Sequence, residues 1–371
     1  MSSELIGFGI LALLCLVVSP YYKKIEMRPR RDRIILSGIY QPETVKTDNP
    51  KSIILMCDSF LPTTFAGSEL SAYETIKYLK ARGHDIRIFV NQWEVPEYDG
   101  FKIYRHDIHD PYCIKEITNV DIVFFQMGGD SKNLDIVKHR TKPVYLFIHL
   151  INSYSWLLQQ KVSFPIFVVY NSHMTQDSLP SLYDNMRMIP YVNTKRFEGL
   201  RGDTIQNDVV CLINCNKNKG GELFKELAYK MPNVQFLGVK GGYSNQVIDS
   251  NPPPNLIYIE NQKDITVVFK KIGILVMPSK NETWGRTAVE AMTAGVPVIH
   301  SESPGLVECV GGAGILCNHD DIDAWIQAIS RLTSDRAYRQ RLRQYGFKRV
   351  VEIEEEQIRG RQELANKIEQ Y

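Results

Sequence analysis

Two carboxylates eight positions apart, Glu282 and Glu290, bracket a stretch whose residue types could hold a charged ligand. It runs N-E-T-W-G-R-T-A-V-E-A-M-T-A-G-V-P-V-I from Asn281 to Ile299. A polar loop ending at Trp284 turns on Gly285 and enters a short helix, on which Ala288, Ala291 and Met292 supply small apolar packing. Gly295 occupies the position of a C′ glycine, and Val296 to Ile299 open a buried strand. A helix that starts at a glycine turn, here at Arg286 and Thr287, presents unpaired N–H groups and the positive end of its dipole. Such a start suits a phosphate. A carboxylate in turn accepts two hydroxyl donors well, so Glu282 and Glu290 suit a ligand carrying vicinal hydroxyls around a phosphate. By spacing alone, the pair fits as readily a surface Glu and a helix Glu that solvate a helix start.

The elements that must position these residues alternate. In the first half, Ser52–Cys57, Ile86–Val90, Asp121–Gln126, Val144–Ile148 and Ile166–Tyr170 read as buried strands. Ser68–Arg82 reads as an amphipathic helix through Leu70, Tyr73, Ile76 and Leu79, stopped by Gly83, and Tyr98–Tyr104 with its D-G pair as a turn pair. The second half repeats the scheme. Strands are expected at Val209–Asn214, Val234–Leu237, Leu256–Ile259 and Ile274–Met277, and helices through Leu223–Leu227, from Asp264, and through Ile322–Ile329. Strands alternating with helices imply parallel doubly wound sheets, which gather ligands at the carboxyl ends of their strands. There lie Phe60-Leu-Pro, Ala66-Gly67-Ser68-Glu69, His149 and Asn171-Ser172 in the first half, and Lys219 in C-N-K-N-K-G in the second. Lys219 is placed to neutralise a diphosphate; otherwise it is a solvated loop lysine.

The spacing E-x7-E, with W-G-R inside and E-A-M-x-A-G-V-P-V-I after it, resembles the donor signature of the retaining glycosyltransferases of family four. The likeness covers roughly Ser52 to Arg349 and is strongest between Ile257 and Leu316. It implies a GT-B fold: an α/β chain with two Rossmann-like doubly wound domains facing a central cleft, here preceded by an N-terminal hydrophobic helix. The division that follows is an N-terminal segment 1–24, a connector 25–50, an acceptor domain 51–195, a donor domain 196–349, and a helix 350–371 that crosses back to the first domain. The resemblance further implies a donor site at Gly67, Asn214, Lys219, Gly238, Val239, Lys240, Gly285, Arg286, Thr287, Ala288 and Glu290, with Glu282, His149 and Lys219 as the catalytic group. Gly238-Val-Lys-Gly-Gly242 resembles the family's base-binding loop. His149 follows its strand where the family often places a histidine near the transferred sugar, able to act through its ring or its backbone carbonyl. Two departures stand out. Asn214 occupies the position of an arginine, and Ala66 replaces the first glycine of a G-G pair. Pro190-Tyr-Val-Asn193 with Phe197 resembles the family's interdomain P-x-V-D-x-x-x-F, with Asn for Asp.

Composition narrows the classes. A chain of 371 residues fits two domains, and 44% hydrophobic content can fill their cores. A formal charge of +2 offers no basic field for nucleic acid. The seven cysteines are scattered, as expected for free thiols in a reducing compartment. Leu5 to Tyr22 carries no charge, about the shortest length that spans a bilayer, and Lys23, Lys24, Arg28, Arg30, Arg31 and Arg33 follow it. The expectation is a single-pass membrane anchor with the catalytic domains cytosolic. The alternative is a segment packed on protein or lying in the interface. The expected activity is metal-independent, cofactor-free retaining transfer of a sugar from a nucleoside-diphosphate sugar to a hydroxyl of a glycan, lipid-linked or protein-linked acceptor. A non-catalytic sugar-nucleotide-binding subunit, or an epimerase or phosphorylase on the same scaffold, remains the alternative. A glycosidase would need a carboxyl acid of raised pKa at the bond, which no residue marks.

Overall fold

The apolar runs of the first half pair side by side because each is buried on both faces, as strands of a parallel sheet must be. The computed structural model describes residues 45–371 apart from 108, 127–134, 152–153, 203–206 and 243. Its first sheet is eight-stranded. It comprises β1 (Ser52–Cys57), β2 (Asp85–Val90), β3 (Glu97–Tyr98), β4 (Phe101–Arg105), β5 (Ile122–Gln126), β6 (Val144–Ile148), β7 (Ile166–Tyr170) and β8 (Asn185–Arg187). The order is β3-β4-β2-β1-β5-β6-β7-β8, all parallel except the short β3, which turns back on β4 through Asp99-Gly100. In register, Cys57 lies opposite Val90 and Gln126, so the ends of β1, β2 and β5 form one rim. Helix α1 (Gly67–Ala81) starts beside that rim, and α2 (Pro111–Asn119) and the short α3 (His173–Ser178) pack in the same half.

The second sheet is six-stranded and wholly parallel, in the order β11-β10-β9-β12-β13-β14. Its strands are β9 (Val210–Ile213), β10 (Phe236–Val239), β11 (Leu256–Ile259), β12 (Ile274–Met277), β13 (Val298–Ser301) and β14 (Ile315–Cys317). The longer helices are α4 (Gly221–Lys230), α5 (Arg286–Ala294), α6 (Pro304–Val310), α7 (Ile322–Ser334) and α8 (Arg336–Gln370), and the helix expected from Asp264 is a single turn, Thr266–Phe269. The central stretch folds as read: α5 starts after Gly285 and ends at Gly295, whose φ of +75° takes the left-handed C-cap.

Two expectations shift. β10 begins at Phe236 and runs through Gly238 and Val239, so these two are strand residues and not loop. Val234 instead closes a turn on the Met231 carbonyl, and the Tyr258 ring fills the space beside Gly238, where a Cβ would come within 2.6 Å of it. The last helix is also longer than 350–371. Asp335 caps α8 by accepting from Tyr338 N at 2.8 Å, and the helix then runs unbroken to Gln370. Val350 and Ile353 enter the core of the second sheet with Trp284, Ala288 and Met292. About three turns further on, Leu364, Ala365 and Ile368 enter the core of the first sheet with Leu79 and Ile88.

The expected single-pass membrane localisation is corrected. Among the described residues no helix is long and apolar enough to cross a membrane. The stretch that raised the expectation, Leu5–Tyr22, lies outside the described residues, as do Cys15 and the connector up to residue 44. The other six cysteines are free and buried.

Candidate active site

The loop 278–285 leaves β12 at the carboxyl edge of its sheet and is clamped from below by α6. Ser303, just before α6, accepts from Glu282 N at 2.8 Å and donates to Glu282 O at 3.2 Å. Gly305 lies so close that a Cβ there would fall 2.2 Å from Glu282 O. Cys309 Sγ donates to Gly285 O at 3.3 Å, and Trp284 is buried. The loop is therefore held at Glu282 and at Gly285. No side chain caps α5, but Ala288 N donates to Gly285 O at 2.8 Å, so the expectation of an open amide there is corrected.

Within this loop Glu282 forms an ion pair with Lys219, and Ser279 Oγ lies 3.4 Å from the same carboxylate oxygen. Lys219 ends a 3₁₀ turn, Lys217–Lys219, capped by Asn216, whose Oδ1 accepts from Lys219 N at 2.9 Å. The turn closes on Gly220, at φ +87°, tight against Pro278. Residues 63 apart in sequence thus meet through two strand ends. Arg286 does not reach into this pair. Its Nη1 donates to Tyr191 O, and its Nε lies 3.2 Å from Glu290 Oε1 without hydrogen-bond alignment. Glu290 is buried, which raises its carboxyl pKa, while Arg286 and Arg196 pull it back down. Arg286 also meets the first half, because a Cβ on Gly67 would touch Arg286 Cδ at 3.8 Å. The start of α1 and the Arg286 side chain at the start of α5 therefore lie against each other.

His149 sits at the end of β6. Its ring nitrogen Nε2 is sealed from solvent without a partner, and burial pushes its pKa down to about 4, so the imidazole is neutral at pH 7. Its carbonyl accepts from Thr283 Oγ1 at 2.8 Å, and Asn171 Nδ2 donates to the same hydroxyl at 3.1 Å. A small pocket beside the ring is lined by Ser71, Thr75, Gln126, Phe147, Asn171 and Met188.

The remaining expected residues form a separate cluster at the ends of β9 and β10. Asn214 has a left-handed backbone, φ +72°, and its Oδ1 accepts from Gln246 Nε2 at 3.2 Å, while Gln246 Oε1 accepts from Gly241 N at 2.8 Å. A Cβ on Gly241 would fall 2.2 Å from Asn214 Oδ1, so this asparagine packs under the loop where a longer arginine would project. Gly238 and Val239 are packed in the strand, and Lys240 pairs with Glu260 at 2.5 Å. The sequence reading passed over Thr283, Ser303 and Tyr191, and it also passed over Glu308. That carboxylate leaves α6 and accepts from His173 N at 2.9 Å and Met174 N at 3.1 Å, tying the second half to α3 of the first. Nothing in the local pattern S-P-G-L-V-E marks it, because its partners are 134 and 135 residues away.

With this geometry in place, the likeness to known proteins is concentrated where the site lies. Residues 206–349 match the model of the family described as glycosyl transferases group 1. The capsular polysaccharide biosynthesis glycosyltransferase CapM of Staphylococcus aureus is 27% identical over 135 residues, 34% of this chain and 36% of that protein. The D-inositol 3-phosphate glycosyltransferase of Stackebrandtia nassauensis is 37% identical over 82 residues, 21% of this chain and 18% of that protein. This chain thus spans only a minor part of these curated relatives. Similar folds extend much further. A glycosyltransferase from Rickettsia africae superposes with a TM-score of 0.63 at 18% identity, covering 86% of this chain and 99% of that one. HepE of Anabaena, solved with UDP-glucose, gives a TM-score of 0.67 at 16% identity over 83% and 98%. The two-sheet architecture is accordingly GT-B-like. The likeness to the group 1 glycosyl transferases is thus carried by residues 206–349, within a GT-B-like fold.

Proposed function

We propose that this protein transfers a sugar from a nucleoside-diphosphate sugar to an acceptor hydroxyl with retention of anomeric configuration. The observation that carries the reading is the Lys219–Glu282 ion pair beside the uncapped start of α5, opposite Gly67. Lys219 is complementary to phosphate oxygens and Glu282 to sugar hydroxyls. A sugar diphosphate lying across them exchanges one ion pair for two charge-assisted contacts. The glycosidic bond to phosphate loosens first. The charge growing on the diphosphate meets Lys219 and the amides of Arg286 and Thr287 at the start of α5, donors fixed before the reaction begins. The acceptor hydroxyl attacks on the same face, and its proton passes to the leaving phosphate oxygen. Glu282 holds sugar hydroxyls and is not a nucleophile. Glu290, steered by Arg286, takes the ribose diol, and the Gly241–Asn214–Gln246 cluster lies where the base is read. Positive charge for the diphosphate comes from the chain itself, so turnover persists in a chelator.

The test incubates the purified protein with a panel of nucleotide sugars and candidate glycan acceptors, following nucleoside-diphosphate release and the product anomer by NMR. Lys219→Ala should lower kcat about 100- to 1,000-fold, the usual effect of removing a preorganised donor to a developing charge. An inverted product, or a Lys219→Ala enzyme with native kcat, overturns the mechanism. The packing role of Asn214, where an arginine would supply charge, favours a second reading as a sugar-nucleotide-binding subunit. Binding without turnover across the acceptor panel would establish it.

A further inference from the structure

Thr283 lies between the residue that holds the sugar and the residue whose strand end faces it. Its hydroxyl has a single proton. Asn171 Nδ2 donates to the oxygen at 3.1 Å, which leaves that proton for His149 O at 2.8 Å. The asparagine is itself fixed, because its Oδ1 accepts from Thr175 Oγ1 at 2.9 Å and from Ser172 Oγ at 3.2 Å. With those hydroxyls donating to Oδ1, the amide nitrogen is turned toward Thr283. On the other side, the Thr283 backbone cannot slide. Gly305 abuts it, with a Cβ position 2.4 Å from Thr283 C, and the adjoining Trp284 is buried. Thr283 thereby joins the 282–285 loop of the second half to two strand ends of the first, and its neighbour Glu282 is set relative to His149 by one hydrogen bond.

We propose that Thr283 is a positioning residue for glycosyl transfer. Its γ-hydroxyl, oriented by Asn171, fixes the His149 carbonyl relative to Glu282. This rests on the transferase reading above. A carbonyl oxygen has two lone pairs, and with one engaged by Thr283 the other keeps a defined direction, able to face positive charge growing at the sugar. Without the tie, the two halves can still bind a donor, since Lys219, α5 and Glu290 belong to the second half alone. What is lost is the alignment between them, and misplacement by about an ångström costs on the order of 100-fold in rate.

The experiment compares full-length native protein with Thr283→Val, Thr283→Ser and Asn171→Ala. Thr283→Val keeps the shape and removes the hydroxyl. It should lower kcat about 10- to 100-fold, leave the donor KM within about twofold, and raise the share of donor lost to water. Thr283→Ser should restore most of kcat. Asn171→Ala should lower kcat with it non-additively, the double variant being little worse than Thr283→Val. A purely structural role would move KM and thermal stability together and would give no rescue by serine. Native kcat in Thr283→Val, or additive loss in the double variant, overturns the proposal while leaving the transferase reading intact. Absence of turnover in the native protein removes both. If Thr283→Val does not fold, the Thr283→Ser and Asn171→Ala pair decides: native kcat in Asn171→Ala overturns the proposal.

Discussion

At His149 burial decides the protonation state. The folded ring keeps a pKa near 4 against an ordinary value of 6.5, while the unfolded chain takes up the proton at the ordinary value. Between these values unfolding gains a proton, so this residue makes stability fall as pH drops from about 6.5 to about 4, by up to about 1.4 kcal/mol per pH unit. His84, His106 and His300 are also held down by burial and act in the same sense. Glu69, Glu290, Glu308 and Glu354 are raised and act in the opposite one. The difference between native protein and a His149→Phe variant isolates the single ring. Urea unfolding across pH 4.5–7 should give a shallower acid-side slope in the variant, and parallel curves would show that His149 is not held neutral by the fold. The same residue illustrates what could be read in advance. Its place at a strand end was legible from the run Y-L-F-I, whereas the occupation of its carbonyl by Thr283 was not, since that partner is 134 residues away.

The short helix α6 does more for the site than its length suggests. It supplies Gly305 under the 282–285 loop, Cys309 against Gly285, and Glu308 across to α3. Gly305→Ala would place a methyl group 2.2 Å from Glu282 O, a backbone atom that cannot swing aside. The expected cost is about 1–3 kcal/mol, together with weaker nucleotide-sugar binding as the loop shifts. Gly199 has nothing within 4 Å and serves as the control, where alanine should stay within about 0.5 kcal/mol of native. Thermal unfolding and calorimetric titration read both quantities. Native behaviour of Gly305→Ala in both would mean that the loop is not clamped as described. Helix α5 was fully readable, from the glycine turn to the left-handed Gly295, because caps and small apolar spacing are local signals. β10 was misplaced by two residues because a glycine looks like a turn until a neighbouring ring is known to fill its space.

For the molecule as a whole, α8 is the shared member of two cores. Leu364 is fully buried under the first sheet, and Glu369 accepts from Arg82 Nε and Nη2 at 2.7 Å each. The other end of the helix packs with α5. Leu364→Ala should lower the unfolding free energy by about 2–5 kcal/mol, the range for truncating a buried leucine. A urea midpoint close to native would show that the last turns contribute little to the first core. Leu364 contributes through apolar burial and not through the ion pairs of the same helix, so this loss should persist at high salt.

Taken by itself, the sequence determined most of the strands, though not β8 or β14, together with the ends of α5 and the E-x7-E stretch. These arise from periodicity and backbone preference within a few residues, which no distant contact had to supply. Tertiary structure decided the partners. Glu282 was given to Lys219, Thr283 to His149 and Asn171, Glu308 to the amides of α3, and Asn214 to packing under Gly241. Even the local Arg286–Glu290 pair acquires its character from burial and from Tyr191. The physical reason is that a polar group's partner is fixed by distance and desolvation in space, and both exist only once the two sheets have closed on one another.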